Sequence, residues 1–188
     1  MSSTAALLNT LSEDEARRAL LRCCGCRHWV EIMLGSRPFA DDETLFRTAD
    51  EAWTDLSRED WLEAFSHHPR IGERELETKA PAATRKWSAQ EQAGAAQAPE
   101  ERLRALEEGN RAYEGRFGHV FLICASGLDA DTMLAALRQR LGNDPETELH
   151  VAAAEHAKIT RLRLVKLAEE TPTQEKPTRP SSPRKGPI

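Results

Sequence analysis

A chain of 188 residues with 39% hydrophobic content is long enough for one domain with a real core and short for two. Its formal net charge of -5 gives nucleic acid or an anionic membrane surface no electrostatic reason to bind, so the expected partner is a small molecule or a protein. No stretch approaches the roughly 18 consecutive apolar residues of a membrane span, and the opening MSSTAALLNTLSEDEARR lacks the basic flank and apolar core of a secretory leader; a cytoplasmic location is expected.

Ser12 with Glu15 has capping-box spacing and opens an amphipathic run carrying Ala16, Leu20 and Leu21, which predicts a helix up to Gly25. A second run places Trp29, Ile32 and Met33 at helical spacing and stops at Pro38. Between them, Cys23, Cys24 and Cys26 lie too close together to staple distant parts of a fold and read as reduced thiols. Cys24-Gly25-Cys26-Arg27-His28 lacks the two-residue gap of a zinc knuckle, and no second cysteine pair follows, so these cysteines read as small fillers where two helices meet. No metal is expected.

DDETLFRTADEAW repeats Leu45, Phe46, Ala49, Ala52 and Trp53 at three-to-four spacing behind an acidic start, as a helix does. Ser57 with Asp60 opens the next, carrying Trp61, Leu62 and Phe65. Pro69 pushes His68 toward extended backbone angles, so that helix ends near His67. Residues 70–87 read as an irregular connection with at most one short helix. Ser88 and Glu91 have capping-box spacing and predict a helix starting at Ser88 and running to about Gln97. Pro99 opens a longer one to about Glu114, closed by Gly115 and Gly118.

His119 to Ala125, HVFLICA, is a short apolar run between Gly118 and Gly127 and predicts a buried extended segment. Two helices follow, Asp129 to Leu141 and Pro145 to Glu169. After Glu170 the chain has five prolines and almost no large apolar residue, the composition of a disordered tail. The expected fold is therefore all-α: a compact single-domain bundle of about seven to nine helices over residues 1–170, with one short buried extended segment and a Pro-rich tail at 171–188.

Few residues stand out for chemistry. His67 and His68 sit at a forced helix end, where an imidazole can transfer protons near neutral pH or simply complement the helix dipole. Ser88 and Glu91 suit a cap, and a helix N-terminus is also an anion site, with Gln92 adding amide donors. Arg163 lies four residues from both Ile159 and Leu167 and so projects inward, whereas Arg161 does not. An inward arginine needs a carboxylate, either the protein's own or that of a bound anion. No phosphate-binding glycine loop and no serine nucleophile elbow occur, which leaves acid/base chemistry on a small anion without a cofactor.

Taken together, SHHPRIGE at 66–73, WSAQEQAG at 87–94, YEGRFGHVFLICASG at 113–127, LRQRLGNDPETEL at 137–149 and AKITRLRLVKL at 157–167 resemble the OHCU (2-oxo-4-hydroxy-4-carboxy-5-ureidoimidazoline) decarboxylases. The resemblance spans roughly residues 6–170, with the blocks in the family's order. It implies an all-α enzyme, possible as a homodimer, that decarboxylates OHCU to (S)-allantoin in urate breakdown without metal or organic cofactor. It puts the catalytic role on His68, which directly precedes proline, together with Glu91 and Arg163. Substrate contacts fall to Pro69, Ser88, Gln92 and the stretch Phe121, Leu122, Ile123 and Cys124. His119 stands where the family more commonly has an aromatic residue. Two other readings stay open: a lyase for another ureido or imidazoline acid, and a helical interaction module without activity.

Overall fold

The computed structural model describes residues 3–72 and 82–170; the tail expected at 171–188 lies outside them. Ten helices and no strand occur among the described residues. Helix α1 (Thr4–Thr10) is one the sequence pattern gave no sign of. It is too short to show periodicity, and it stands because Ser3 caps it and because Ala5 and Leu8 are fully buried against the body of the protein.

Both capping boxes form as their spacing predicts. Ser12 opens α2 (Glu13–Cys24) and Ser57 opens α5 (Arg58–Phe65), each with its oxygen on the third backbone N–H and the acid reaching back. Helix α2 ends at Gly25, whose φ of 80° is the left-handed cap that glycine adopts without strain. A Cβ there would lie 3.1 Å from the His67 side chain, so the same glycine admits the end of α5. Helices α3 (Arg27–Gly35) and α4 (Asp42–Thr54) complete the first half of the bundle. Cys23, Cys24 and Cys26 are buried filler at its centre, as expected.

Helix α6 (Ala82–Glu91) begins earlier than the sequence suggests, which corrects the reading of Ser88 as a helix start. Ser88 sits in its last turn. Four of the residues at 82–87, two alanines, an arginine and a lysine, are good helix formers, and Trp87, fully buried beneath the Arg22 guanidinium at 4.2 Å, anchors them. Thr84, Trp87, Ser88 and Glu91 make one buried stripe. A three-residue spacing puts two side chains on one helix face as readily as it builds a capping box, which is why the pattern misleads here.

After α7 (Ala93–Ala96), α8 (Glu100–Phe117) runs through Gly115 and ends at Gly118, and α9 (Ala130–Arg140) packs beside it. A Cβ on Gly94 would lie 2.0 Å from the Leu128 carbonyl oxygen, so only glycine lets α7 approach that turn. The closing helix α10 (Pro145–Glu170) crosses the molecule and touches α1, α2, α4 and α8. It joins the two apolar cores, one among α1–α5 and one around α8 and α9.

Between Gly118 and α9 the chain is neither helix nor strand, and Phe121, Leu122 and Ala125 are buried. With no ladder to satisfy them, its backbone groups take side-chain partners. The Leu122 carbonyl accepts from Arg140 at 2.6 Å and the Cys124 N–H donates to Glu155 at 2.8 Å.

Candidate active site

One cavity lies where the end of α5, the last turn of α6, the extended segment and α10 converge. About 360 Å³ of space not filled by atoms, part of it open to solvent, lies between these walls. His68 and Pro69 enter from the α5 end; Ser88, Glu91 and Gln92 line the α6 side. Phe121 through Cys124 form the opposite wall, and Ile159 and Leu162 of α10 close it with apolar surface. Nine of the ten residues singled out above thus face one space, and the tenth, Arg163, is bonded to two of them.

Arg163 is 2% exposed and pairs with a carboxylate, as an inward arginine must. Its Nε donates to Glu91 Oε1 at 3.2 Å, and its Nη2 donates to Glu91 Oε2 and to Ser88 Oγ, both at 2.9 Å. Ser88 therefore uses its hydroxyl across the site and not on its own backbone. Lys166, one turn further along α10, places Nζ 2.9 Å from Glu91 Oε1. Arg161 points away, to Asp50 and the Phe46 ring.

His68 is buried, and its Nε2 has no hydrogen-bond partner. Burial first, then the Arg163 charge and the neighbouring His156 and His67, hold its pKa well below the ordinary imidazole value. The ring is neutral at pH 7, and it shares the cavity with the Glu91 carboxylate and lies near enough to Arg163 to feel its charge; a neutral imidazole so placed can take up or release a proton. His68 meets the His156 ring edge to face, with centroids 5.0 Å apart. His156 is wholly buried, stacked on Trp53 at 4.4 Å and bonded through Nε2 to the Cys24 carbonyl at 3.0 Å. Burial and Arg163 lower its pKa to about 3.

The turn after His68 is tied down from both sides. The Gly72 N–H donates to Gln92 Oε1 at 3.2 Å, and Asn110 Nδ2 donates to the Ile71 carbonyl at 2.9 Å. Behind the extended wall lies a buried charge network that the sequence reading missed. Arg140 donates twice to Glu148 Oε1, through Nε at 2.8 Å and Nη2 at 2.6 Å, while Tyr113 and Asn143 complete the Glu148 carboxylate. Arg140 also lies over the Phe121 ring at 4.6 Å, so it braces the wall from outside.

His119 does not line the cavity; it packs among Phe65, Tyr113 and Phe117. His156, Arg140, Glu148, Glu155 and Lys166 went unremarked in the sequence. A signal existed for the first: His156, Thr160 and Arg163 recur at helical spacing within the apolar stripe of α10, and buried polar residues on a core face mark a site or a network. Among the described residues, one grouping has metal-ligand chemistry, Cys26 with Asp60 and Glu63. Each already has a role, Cys26 capping α3, Asp60 closing the Ser57 box and Glu63 holding Arg27.

Comparison with known proteins bears on the family of the chain. The family model for OHCU decarboxylase matches residues 9–165. The uric acid degradation bifunctional protein TTL of Arabidopsis thaliana is 37% identical over 145 residues, covering 77% of this chain and 45% of that protein. The chain thus spans less than half the length of that relative. The 2-oxo-4-hydroxy-4-carboxy-5-ureidoimidazoline decarboxylase of Amia calva is 32% identical over 128 residues, covering 68% of this chain and 73% of that one. Among solved structures, an OHCU decarboxylase crystallised in the presence of (S)-allantoin superposes with a TM-score of 0.70 at 33% identity, covering 85% of this chain and all of that one. An (S)-allantoin synthase with a TM-score of 0.64 at 20% identity, covering 86% of this chain and 53% of that one, shares the fold. With a family model matched over nearly all the described residues, the chain belongs to the OHCU decarboxylase family.

Proposed function

We propose that this protein is a cofactor-free carboxy-lyase that converts OHCU to (S)-allantoin and carbon dioxide in urate breakdown. One observation carries the reading. A neutral imidazole with an open nitrogen, His68, shares a small cavity with Glu91, and Arg163 is held against Glu91 by its guanidinium fork. Family membership supports OHCU as the substrate.

The substrate is a carboxylate, and the overall step takes up one proton and releases carbon dioxide. The bond from the ring carbon to the carboxylate breaks, and its electron pair moves into the imidazoline ring. Arg163 and the Ser88 hydroxyl orient the anion, and the fixed positive charge steadies the electron density as it spreads. His68 and Glu91 manage the protons: the ring nitrogen that receives the electron pair takes up the one proton of the overall step, while the open His68 nitrogen takes the ring hydroxyl proton as that oxygen becomes a carbonyl and the ureido-bearing carbon gains one in exchange. Pro69, Gln92 and the wall from Phe121 to Cys124 hold the ring, so that one face alone is protonated and one enantiomer forms.

The test is to add the protein to OHCU generated freshly from urate and follow the carboxylate by carbon-13 NMR. Accelerated release of one carbon dioxide per OHCU is expected. Decay at the spontaneous rate contradicts the proposal and favours a lyase for another ureido acid or a module without activity.

A further inference from the structure

Glu91 is held by two cations at once, and the charge count of the site depends on the second. Arg163 gives it Nε and Nη2; Lys166 gives it Nζ at 2.9 Å on the same Oε1 that receives Arg163 Nε. Two positive charges against one carboxylate leave the cavity edge with a single positive charge. Without Lys166 that sum is zero. An incoming carboxylate could then take the Arg163 fork only by leaving Glu91 as a buried anion with no cation, which is strongly unfavourable. Two carboxylates would also face each other across one guanidinium.

Lys166 is built to prevent this. It lies three residues after Arg163 and so on the same face of α10, its side chain is 25% exposed, and the Glu91 side chain it reaches is 8% exposed. A partly exposed lysine can leave its four-carbon stem near the surface while its ammonium reaches a buried carboxylate. An ammonium on a flexible stem can follow Glu91, whereas the planar Arg163 fork suits a second carboxylate.

We propose that Lys166 is a positioning residue: it is the cation that stays on Glu91 when the Arg163 fork turns to the carboxylate of the substrate. This rests on the reading of the cavity as the binding site of an anionic substrate.

The experiment compares the full chain with Lys166→Met and Lys166→Arg. Steady-state rates are measured with OHCU, and calorimetric titrations with allantoate, a ureido carboxylate, and with (S)-allantoin, a neutral ureido ring. Lys166→Met raises KM for OHCU and Kd for allantoate about tenfold or more, the equivalent of one lost charge interaction. It changes kcat less than about threefold, because the loss is in binding the anion and not in the chemical step. Affinity for (S)-allantoin moves less than about twofold, since that ligand has no carboxylate to compete for Arg163. Lys166→Arg restores KM and Kd, and neither variant shifts the melting temperature appreciably.

Equal losses for allantoate and (S)-allantoin overturn the proposal, as does a Lys166→Met protein with parental KM and Kd. A parent protein that binds no allantoate overturns it as well. A parent that binds allantoate through Lys166 but leaves OHCU decay unchanged supports the role of Lys166 and removes the decarboxylase reading instead.

Discussion

Arg163 and Glu91, 72 residues apart in sequence, meet as a buried fork-to-carboxylate pair, with Nε–Oε1 at 3.2 Å and Nη2–Oε2 at 2.9 Å. The pair fastens α6 to α10 at the side of the cavity that Glu91 lines, and it does so with the groups the proposed chemistry uses. Removing the guanidinium therefore damages both stability and function. Arg163→Met is expected to destabilise the protein by roughly 3 kcal/mol, less any relief from Lys166 remaining on Glu91. Urea midpoints measure this. A midpoint within error of the parent would mean that the pair is not a fastening.

His68→Ala removes the open imidazole, and kcat for OHCU is expected to fall by about 10²- to 10⁴-fold, the range for a positioned proton-transfer group. His67→Ala removes the neighbour whose side chain packs near Gly25 outside the cavity, and its loss stays below about tenfold. Comparing kcat of the two variants checks the assignment. If His67→Ala is the more damaging, the histidine roles are reversed.

Acid should weaken the fold through the two buried histidines. His156 is neutral in the folded protein because burial and Arg163 lower its pKa to about 3, and His68 is lowered likewise. Unfolded, both take a proton near the ordinary value of about 6.5. The unfolded state thus binds more protons below about pH 6.5, and stability is lost as pH falls from there toward about 3. His156→Gln has no proton to gain and should flatten the loss by up to about 1.4 kcal/mol per pH unit. Urea midpoints between pH 7.5 and pH 4.5 report it, and parallel slopes would count against the account.

Most of the helices follow from local sequence, because capping boxes, glycine stops and three-to-four periodicity are short-range signals. The failure at Ser88 is instructive: its spacing to Glu91 fits both a helix start and a helix face, and only the burial of Trp87 decides. The inward sector of Arg163 was legible from Ile159 and Leu167, but its partner was not, since no local pattern encodes a contact 72 residues away. The family order of motifs brought Glu91, Ser88 and His68 into consideration together. Lys166, by contrast, is indistinguishable in sequence from any exposed helix lysine.

The Arg140 and Glu148 network was hidden for the same reason, and it makes a prediction about the wall. Glu148 is fully buried, and Arg140 is its partner and the donor to the Leu122 carbonyl. Glu148→Ala leaves Arg140 as a buried charge without its carboxylate and is expected to cost roughly 3–5 kcal/mol. Denaturant midpoints test this. Replacing both partners, as Arg140→Met with Glu148→Leu, should recover much of the loss, and a double variant no better than the single one would contradict the pairing.

The central claim is that this cavity takes OHCU to one enantiomer. Circular dichroism of freshly generated OHCU, followed after adding the protein, tests it most directly. The account predicts rapid growth of the (S)-allantoin signal with the parent protein and its near disappearance with His68→Ala. A racemic product forming at the uncatalysed rate in the presence of the parent protein would contradict it.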